Sequence, residues 1–319
     1  MRQAVLIGPR HFEVTEVPTP RPGPGEVLVA VAACGVCASE LESWTGRSEP
    51  AYPVRLGHEV SGVVAELGEG VESPAVGAPV GVWVAGHGYA DYVVAQAAHC
   101  FAAGDAPLDT VLAEPLSCVV NAVDLADLRL GDDVVIIGAG FMGHVVQQLT
   151  ALRGVRHLIV ADTRPDALER ARALGATRTV LVGEQDLGEV VAELTDGRLA
   201  DVCIECAGTQ AALDSVGAVT RMSGKVVLVG FHQGPPRSIP LGHWNWMAYD
   251  LRNAHFREMS AILHGMAVGA RLLRAGLVDL AAHVTHRFEL ADIGTAFDTA
   301  LSKPAGFVKA TVVIDRSCG

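Results

Sequence analysis

From Met1 to about Leu116 the chain runs in short stretches of alternating apolar and polar positions, cut by Gly and Pro: AVLIG, FEVTEV, EVLVAVAA, VSGVVAELG, APVGVWV and YADYVVA. Alternation with a period of two predicts strands with one buried face, and the Gly/Pro punctuation predicts tight turns between them. A β-rich, partly barrel-like domain follows. Near residue 120 the period changes. DDVVIIG, HLIVAD, TRTVLV, LADVCIECAG and KVVLVG are bounded strand-like runs. They alternate with AGFMGHVVQQLTALRG, RPDALERARALG, LGEVVAELTDG and QAALDSVGAVTRMSG, whose apolar residues recur at helical spacing. Strand and helix in strict alternation predict parallel strands with crossover helices, a doubly wound α/β sheet.

After about residue 255 the alternation stops. REMSAILHGMAVGARLLRAGL and LADIGTAFDTALS read as helices, and GFVKATVVI as a last strand. The expected division is 1–119 for the β-rich domain, 120–255 for the α/β domain, and 256–319 for a segment returning to the first domain. A chain of 319 residues is long enough for two cores.

Half of the residues are apolar and 19% are charged, which excludes a disordered or tail-like chain. The net charge is −12, from 24 basic and 36 acidic residues. That balance argues against nucleic acid or an anionic membrane surface as partner. The most membrane-like stretch, SPAVGAPVGVWVAGHGYA, is broken by two prolines and four glycines and reads as strand–turn–strand. MRQAVLIGPR reads as a first strand and not a leader. The seven cysteines, an odd and scattered set, fit reduced thiols better than a disulfide framework, and the expected location is cytoplasmic.

VVIIGAGFMGHVV places Gly138, Gly140 and Gly143 in the spacing Gly-x-Gly-x-x-Gly where a strand turns into a helix. The first glycine allows the turn, the second lets backbone approach a pyrophosphate, and the third lets helix pack on strand. The helix N-terminus adds unpaired N–H groups and partial positive charge. Asp162 ends the next strand, where a carboxylate accepts hydrogen bonds from an adenosine ribose and repels a 2′-phosphate. NAD(H) is expected over NADP(H), with Arg164 two residues on as the one feature that softens the preference.

AACGVCASELESW holds Cys34 and Cys37 in Cys-x-x-Cys spacing. The pair fits a redox couple, half of a zinc site, or one working cysteine beside a packed one. Twenty-one residues beyond Cys37 comes LGHEVSGVVAELGEGV. Its Gly-His-Glu-x2-Gly-x5-Gly-x2-Val pattern, with GVCASE, AEPLS, GAGFMG, DVCIECAG, GKVVLVG, VTHRF and KPAGFVK, resembles the zinc-containing alcohol dehydrogenases of the medium-chain dehydrogenase/reductase family. The likeness spans essentially the whole chain and is nearest the sorbitol/threonine dehydrogenase branch.

The resemblance implies a GroES-like catalytic domain, a Rossmann domain, and hydride transfer between NAD(H) and a secondary alcohol, polyol or sugar-like, or its ketone. It implies one catalytic zinc held by Cys37, His58 and Glu114, with Glu59 as a supporting or alternate ligand and Cys118 as a rival to Glu114. Cys34 is then a buried strand-end residue. Ser39 matches the hydroxyl that takes the substrate proton, and Glu42 stands where relatives carry a relay histidine. Glu40 replaces an aspartate that orients the ligand loop. Phe141, Met142, Cys206, Val229 and Phe231 fall at positions that border the dinucleotide, and Lys309 matches a basic residue that reaches its pyrophosphate. Trp44, Trp244 and Trp246 either line a substrate pocket or pack. The four-cysteine lobe that carries a structural zinc in many relatives is missing, because only AGHG separates VGVWV from YADYV. Relatives pair as dimers, so a homodimer is expected. The alternatives are a zinc-free NADPH-dependent reductase of enones, quinones or imines, and a non-enzymatic binding protein on the same fold. Cys37, His58, Glu114 and Asp162 together argue against the first, and retention of the core residues argues against the second.

Overall fold

The structure is a computed structural model that describes residues 1–48 and 51–315. The chain divides into two compact units: Met1–Ser117 with Met266–Gly319, and Cys118–Gly265.

In the first unit, β1 (Arg2–Gly8) and β2 (His11–Glu16) form an antiparallel pair. A seven-stranded sheet holds β3 (Glu26–Gly35), β4 (Glu59–Leu67), β5 (Pro79–Trp83) and β7 (Cys100–Ala102) on one side. β14 (Val284–Glu289) and β15 (Lys309–Val313) lie on the other, and β6 (Tyr92–Gln96) pairs with β3 off this path. The returning C-terminal segment therefore enters the first sheet, as the chain order implied. Six of the ten residues of strand β3 are Val or Ala, and the strand is buried on both faces. Helix α1 (Leu41–Thr45) follows β3, and α9 (Ile293–Ser302) lies between β14 and β15. Trp44 of α1 stacks on Phe12 at 5.3 Å between ring centroids and meets Phe297 of α9 at 5.6 Å. Its indole N–H donates to Asp298. Trp44 is thus a core residue of this unit.

The second unit is a six-stranded parallel sheet, β10-β9-β8-β11-β12-β13, with β8 Asp133–Ile137, β9 His157–Asp162 and β10 Arg178–Leu181. β11 is Ala200–Glu205, β12 Thr220–Leu228 and β13 Asp250–Asn253. Helices α3 (Phe141–Ala151), α4 (Pro165–Ala173), α5 (Leu187–Leu194) and α6 (Gln210–Val219) connect the strands, and α7 (Leu241–Trp246) precedes β13. Branched residues such as Val135, Ile159, Val180 and Val226 form the buried layer, as a sheet covered on both faces requires. Trp244 belongs to this core, whereas Trp246 is 78% exposed. Strand β13 was not foreseen, since AYDLRNAH is short and mostly exposed.

The first boundary lies two residues before the expected 119/120, and the second ten residues beyond the expected 255/256. Both boundaries fall inside helices, α2 (Ala113–Ala126) and α8 (Met259–Arg274), where no Pro/Gly-rich linker marks a change. No helix among the described residues is long and apolar enough to cross a membrane.

Candidate metal centre and dinucleotide site

Strand register assembles the first site. In the antiparallel β3–β4 pair Gly35 stands opposite Glu59, so the chain beyond β3 and the residue before β4 emerge at the same end. β15 also pairs with β3, with Thr311 opposite Gly35 and Val36 N–H donating to Ala310 O at 2.9 Å. Continued two residues further, that register brings Lys309 level with Cys37. A 3-10 turn, Ala38–Glu40, begins at Cys37, and the Ser39 hydroxyl donates to Cys37 Sγ at 3.2 Å.

The ligand atoms of Cys37, His58 and Glu59 all lie within 4.8 Å of one another. Glu40, 4% exposed, stands behind the imidazole. Its Oε1 accepts from Gly57 N–H at 2.7 Å and from His58 Nδ1 at 3.1 Å, and its Oε2 accepts from the Tyr89 hydroxyl at 2.8 Å. A carboxylate that accepts from Nδ1 leaves Nε2 as the coordinating nitrogen, the usual arrangement behind a metal-bound histidine. Burial would push the Glu40 carboxyl up, but the hydrogen bond and charge of His58, with Gly57 and Tyr89, outweigh it and hold it below the usual range. Burial alone would lower His58; hydrogen bonds to Cys37 and Glu40 and their charges overcome it and raise the imidazole to about 12.

Glu59 is 1% exposed. Lys309 Nζ lies 2.7 Å from both carboxylate oxygens and donates to Oε1. Burial would discharge Lys309, yet the Glu59 carboxylate, with Cys37 and Glu114, raises it above the ordinary lysine value. A thiolate, an imidazole and a buried carboxylate make a donor set that fits zinc. Glu114 lies in the first turn of α2 and is outside this 4.8 Å group. Its charge reaches Lys309. Cys118 is half-buried one turn further along α2.

Lys309, expected at a pyrophosphate, is instead 6% exposed and engaged with Glu59. Cys34 is fully buried, and burial with the nearby Glu40 and Glu59 charges pushes its thiol well up. Its full burial fits the packed strand-end residue expected from the sequence. Glu42 sits half-buried in α1.

The second site lies at the C-terminal ends of β8, β9, β11 and β12, where open parallel sheets bind ligands. Gly138 has φ +102°, and a Cβ on Gly143 would overlap the Gly138 carbonyl. A Cβ on Gly140 would meet no protein atom within 4 Å, which leaves the helix N-terminus open to a close ligand. The glycine turn therefore fits a dinucleotide diphosphate. Asp162 Oδ2 accepts from Ala139 N–H at 2.7 Å, and Oδ1 accepts from Arg164 N–H at 2.9 Å and Nε at 3.2 Å. Phe141 and Val229 are buried, Met142 and Cys206 half-buried, and Phe231 is 48% exposed. His255 packs its ring on Phe231 at 5.2 Å. His286, on β14 of the first unit, stacks with Phe288.

Residues 23–106 match the alcohol dehydrogenase GroES-like domain, and residues 142–271 match the zinc-binding dehydrogenase model. A sorbitol dehydrogenase of Halalkalibacterium halodurans is 32% identical, over 72% of this chain and 76% of the relative. The chain belongs to the zinc-containing alcohol dehydrogenases of the medium-chain dehydrogenase/reductase family. An L-threonine 3-dehydrogenase of Chromobacterium violaceum is 28% identical over 93% of this chain and 95% of its own length. A zinc-binding dehydrogenase from Sinorhizobium meliloti 1021, solved bound to NADP, superposes with a TM-score of 0.87 at 26% identity, covering 98% of each chain. The protein is an alcohol oxidoreductase with a zinc-binding catalytic domain and a nicotinamide dinucleotide domain.

Proposed function

We propose that this dehydrogenase oxidises a secondary alcohol, polyol or sugar-like, with NAD⁺, and reduces the matching ketone in reverse. The observation that carries the reading is the convergence of Cys37, His58 and Glu59 ligand atoms within 4.8 Å, with Glu40 behind His58. These three residues would hold one catalytic zinc per chain, with Glu114 at the rim of the set and no structural zinc.

Zinc, when bound, supplies Lewis acidity that lowers the pKa of an alcohol, and the dinucleotide, when bound, supplies the hydride acceptor. The chain's own residues do the rest. Glu40 holds the His58 ring and its tautomer through Nδ1. Lys309 balances the Glu59 charge. Ser39, beside Cys37, accepts the alcohol proton at its hydroxyl as it passes its own proton on, with Glu42 on the following helix as the proposed acceptor. Gly138, Gly140 and Gly143 seat the diphosphate, and Asp162 favours NAD(H) over NADP(H). The two relatives named for sorbitol and threonine both oxidise carbinols by their names, which supports the substrate class.

We further propose a homodimer formed in a cytoplasmic setting. β13 ends the strand order of its sheet, and Trp246 and Leu251 are exposed near that edge in the sequence.

The reading is tested by a panel of secondary alcohols and polyols assayed with NAD⁺ and NADP⁺, on wild type and Cys37→Ala. Turnover with NAD⁺ that falls by at least about 10³-fold in Cys37→Ala is the expected result. Undiminished turnover in that variant would overturn it.

A further inference from the structure

Glu205 ends β11 and is fully buried. A buried carboxylate demands donors, and this one gathers them from two loops. Oε1 accepts from Ala207 and Gly208 N–H, each at 2.7 Å, while Oε2 lies 3.0 Å from His232 Nε2. A carboxylate only accepts, so Nε2 carries the proton and His232 is the donor. The Glu205 carbonyl in turn accepts from Val229 and Gly230 N–H, at 2.8 and 2.9 Å.

The loop after β11 and the loop after β12 are thereby drawn to backbone distance. A Cβ on Gly230 would overlap Gly208 N and come within 2.6 Å of Glu205 Oε2. Arg237 repeats the link, donating from one terminal nitrogen to Gly208 O and Gln233 O, at 3.3 and 2.9 Å. These loops carry Cys206, Val229 and Phe231, the residues assigned above to the dinucleotide. His232 Nδ1 is buried without a hydrogen bond. An imidazole kept there at that cost has work to do on its Nε2 side.

We propose that His232 is a positioning residue for the nicotinamide dinucleotide: through Glu205 it locks the loops after β11 and β12 in the geometry that receives the cofactor. The inference rests on the dinucleotide reading of this domain. It concerns binding of the cofactor and not the metal centre, which belongs to the other unit.

The test compares His232→Leu, which removes the donor, with His232→Gln, whose amide can still donate to Glu205. NADH dissociation constants, NAD⁺ KM and kcat, zinc content and melting temperature are measured for each holoenzyme. His232→Leu is expected to weaken NADH binding and raise the NAD⁺ KM by about tenfold or more, as for a lost hydrogen bond to a charged acceptor. Its kcat stays within about twofold and its zinc content is unchanged. His232→Gln is expected within about threefold of wild type throughout. Equal impairment of the two variants, or unchanged NADH affinity in His232→Leu, would overturn the proposal. A melting temperature lowered in both variants with NADH affinity intact would mark a structural role and overturn it equally. If His232→Leu does not fold, His232→Ala removes the same donor with less bulk and takes its place. Wild type that binds NADH while His232→Leu behaves normally contradicts this inference alone. Wild type that binds neither NADH nor NADPH overturns the dinucleotide reading and this inference with it.

Discussion

Glu40 uses both carboxylate oxygens, one on the Gly57–His58 segment and one on Tyr89, so a single side chain sets the position and tautomer of the proposed ligand His58. Glu40→Gln keeps the shape but turns one acceptor into a donor. Zinc affinity, measured by competition with a chromophoric chelator, is expected to fall about 10–100-fold; unchanged affinity would show that Glu40 does not act through His58. At the second site, the proposed preference for NAD(H) rests on the charge of Asp162. A phosphate brought within a few ångströms of it meets a repulsion of about 1–4 kcal/mol at intermediate dielectric. Asp162→Ser also releases Arg164, which now donates to that carboxylate. The NADP⁺/NAD⁺ ratio of kcat/KM is expected to rise by about tenfold or more, and a ratio that stays put would contradict the assignment. The glycine turn was legible from its spacing, whereas Cys37 and His58 were singled out by the family resemblance, since Cys-x-x-Cys spacing alone left three readings open. The carboxylate was harder to read. His58 precedes the first residue of β4, so strand alternation does not separate the two neighbours, and His58 and Glu59 both turn into one group. Glu205 with His232, and Lys309 with Glu59, left no motif to read: each pair joins residues far apart in sequence.

Among the elements, the parallel sheet was readable almost strand by strand, since its buried strands are unbroken runs of branched residues. β13 and α7 were not, because they are short and largely exposed. Four strands of that sheet, β8, β9, β11 and β12, share an ionic network at the ends away from the dinucleotide site. Asp133, fully buried, accepts from Arg156, His157 and Arg198, while Asp201 accepts from Arg198 and Arg221 and from Asp133 N–H. Burial would raise the Asp133 carboxyl, but the Arg156 hydrogen bond and charge, with Arg198 and His157, hold it below the usual range. Burial acts the same way on Asp201, and Arg198, the Asp133 backbone and Arg221 hold it well below. Carboxyls depressed on folding stabilise the protein above the unfolded value of about 4 and lose that contribution as pH falls through it toward the folded value. Urea unfolding followed from pH 7 to pH 3 is expected to show a steep loss of stability below about pH 4–5. Asp201→Asn should be less stable at pH 7 and show a shallower decline. An identical slope in that variant would remove Asp201 from the account.

For the whole molecule, composition and periodicity pointed to two units and to the first boundary within two residues, while the second, inside helix α8, lies ten residues beyond the expected position. The proposed dimer through β13 predicts a two-chain species by sedimentation, shifted toward monomer by Leu251→Lys at the exposed edge; a wild-type monomer at micromolar concentration would refute it. The account as a whole depends on one cation in the first unit, and zinc stoichiometry of the purified, zinc-replete chain tests that most directly. Elemental analysis after removal of loosely bound metal should give about one zinc per chain in wild type and close to none in Cys37→Ala of unchanged fold. Wild type without tightly bound zinc, or a Cys37→Ala variant that retains it in full, would contradict the central claim.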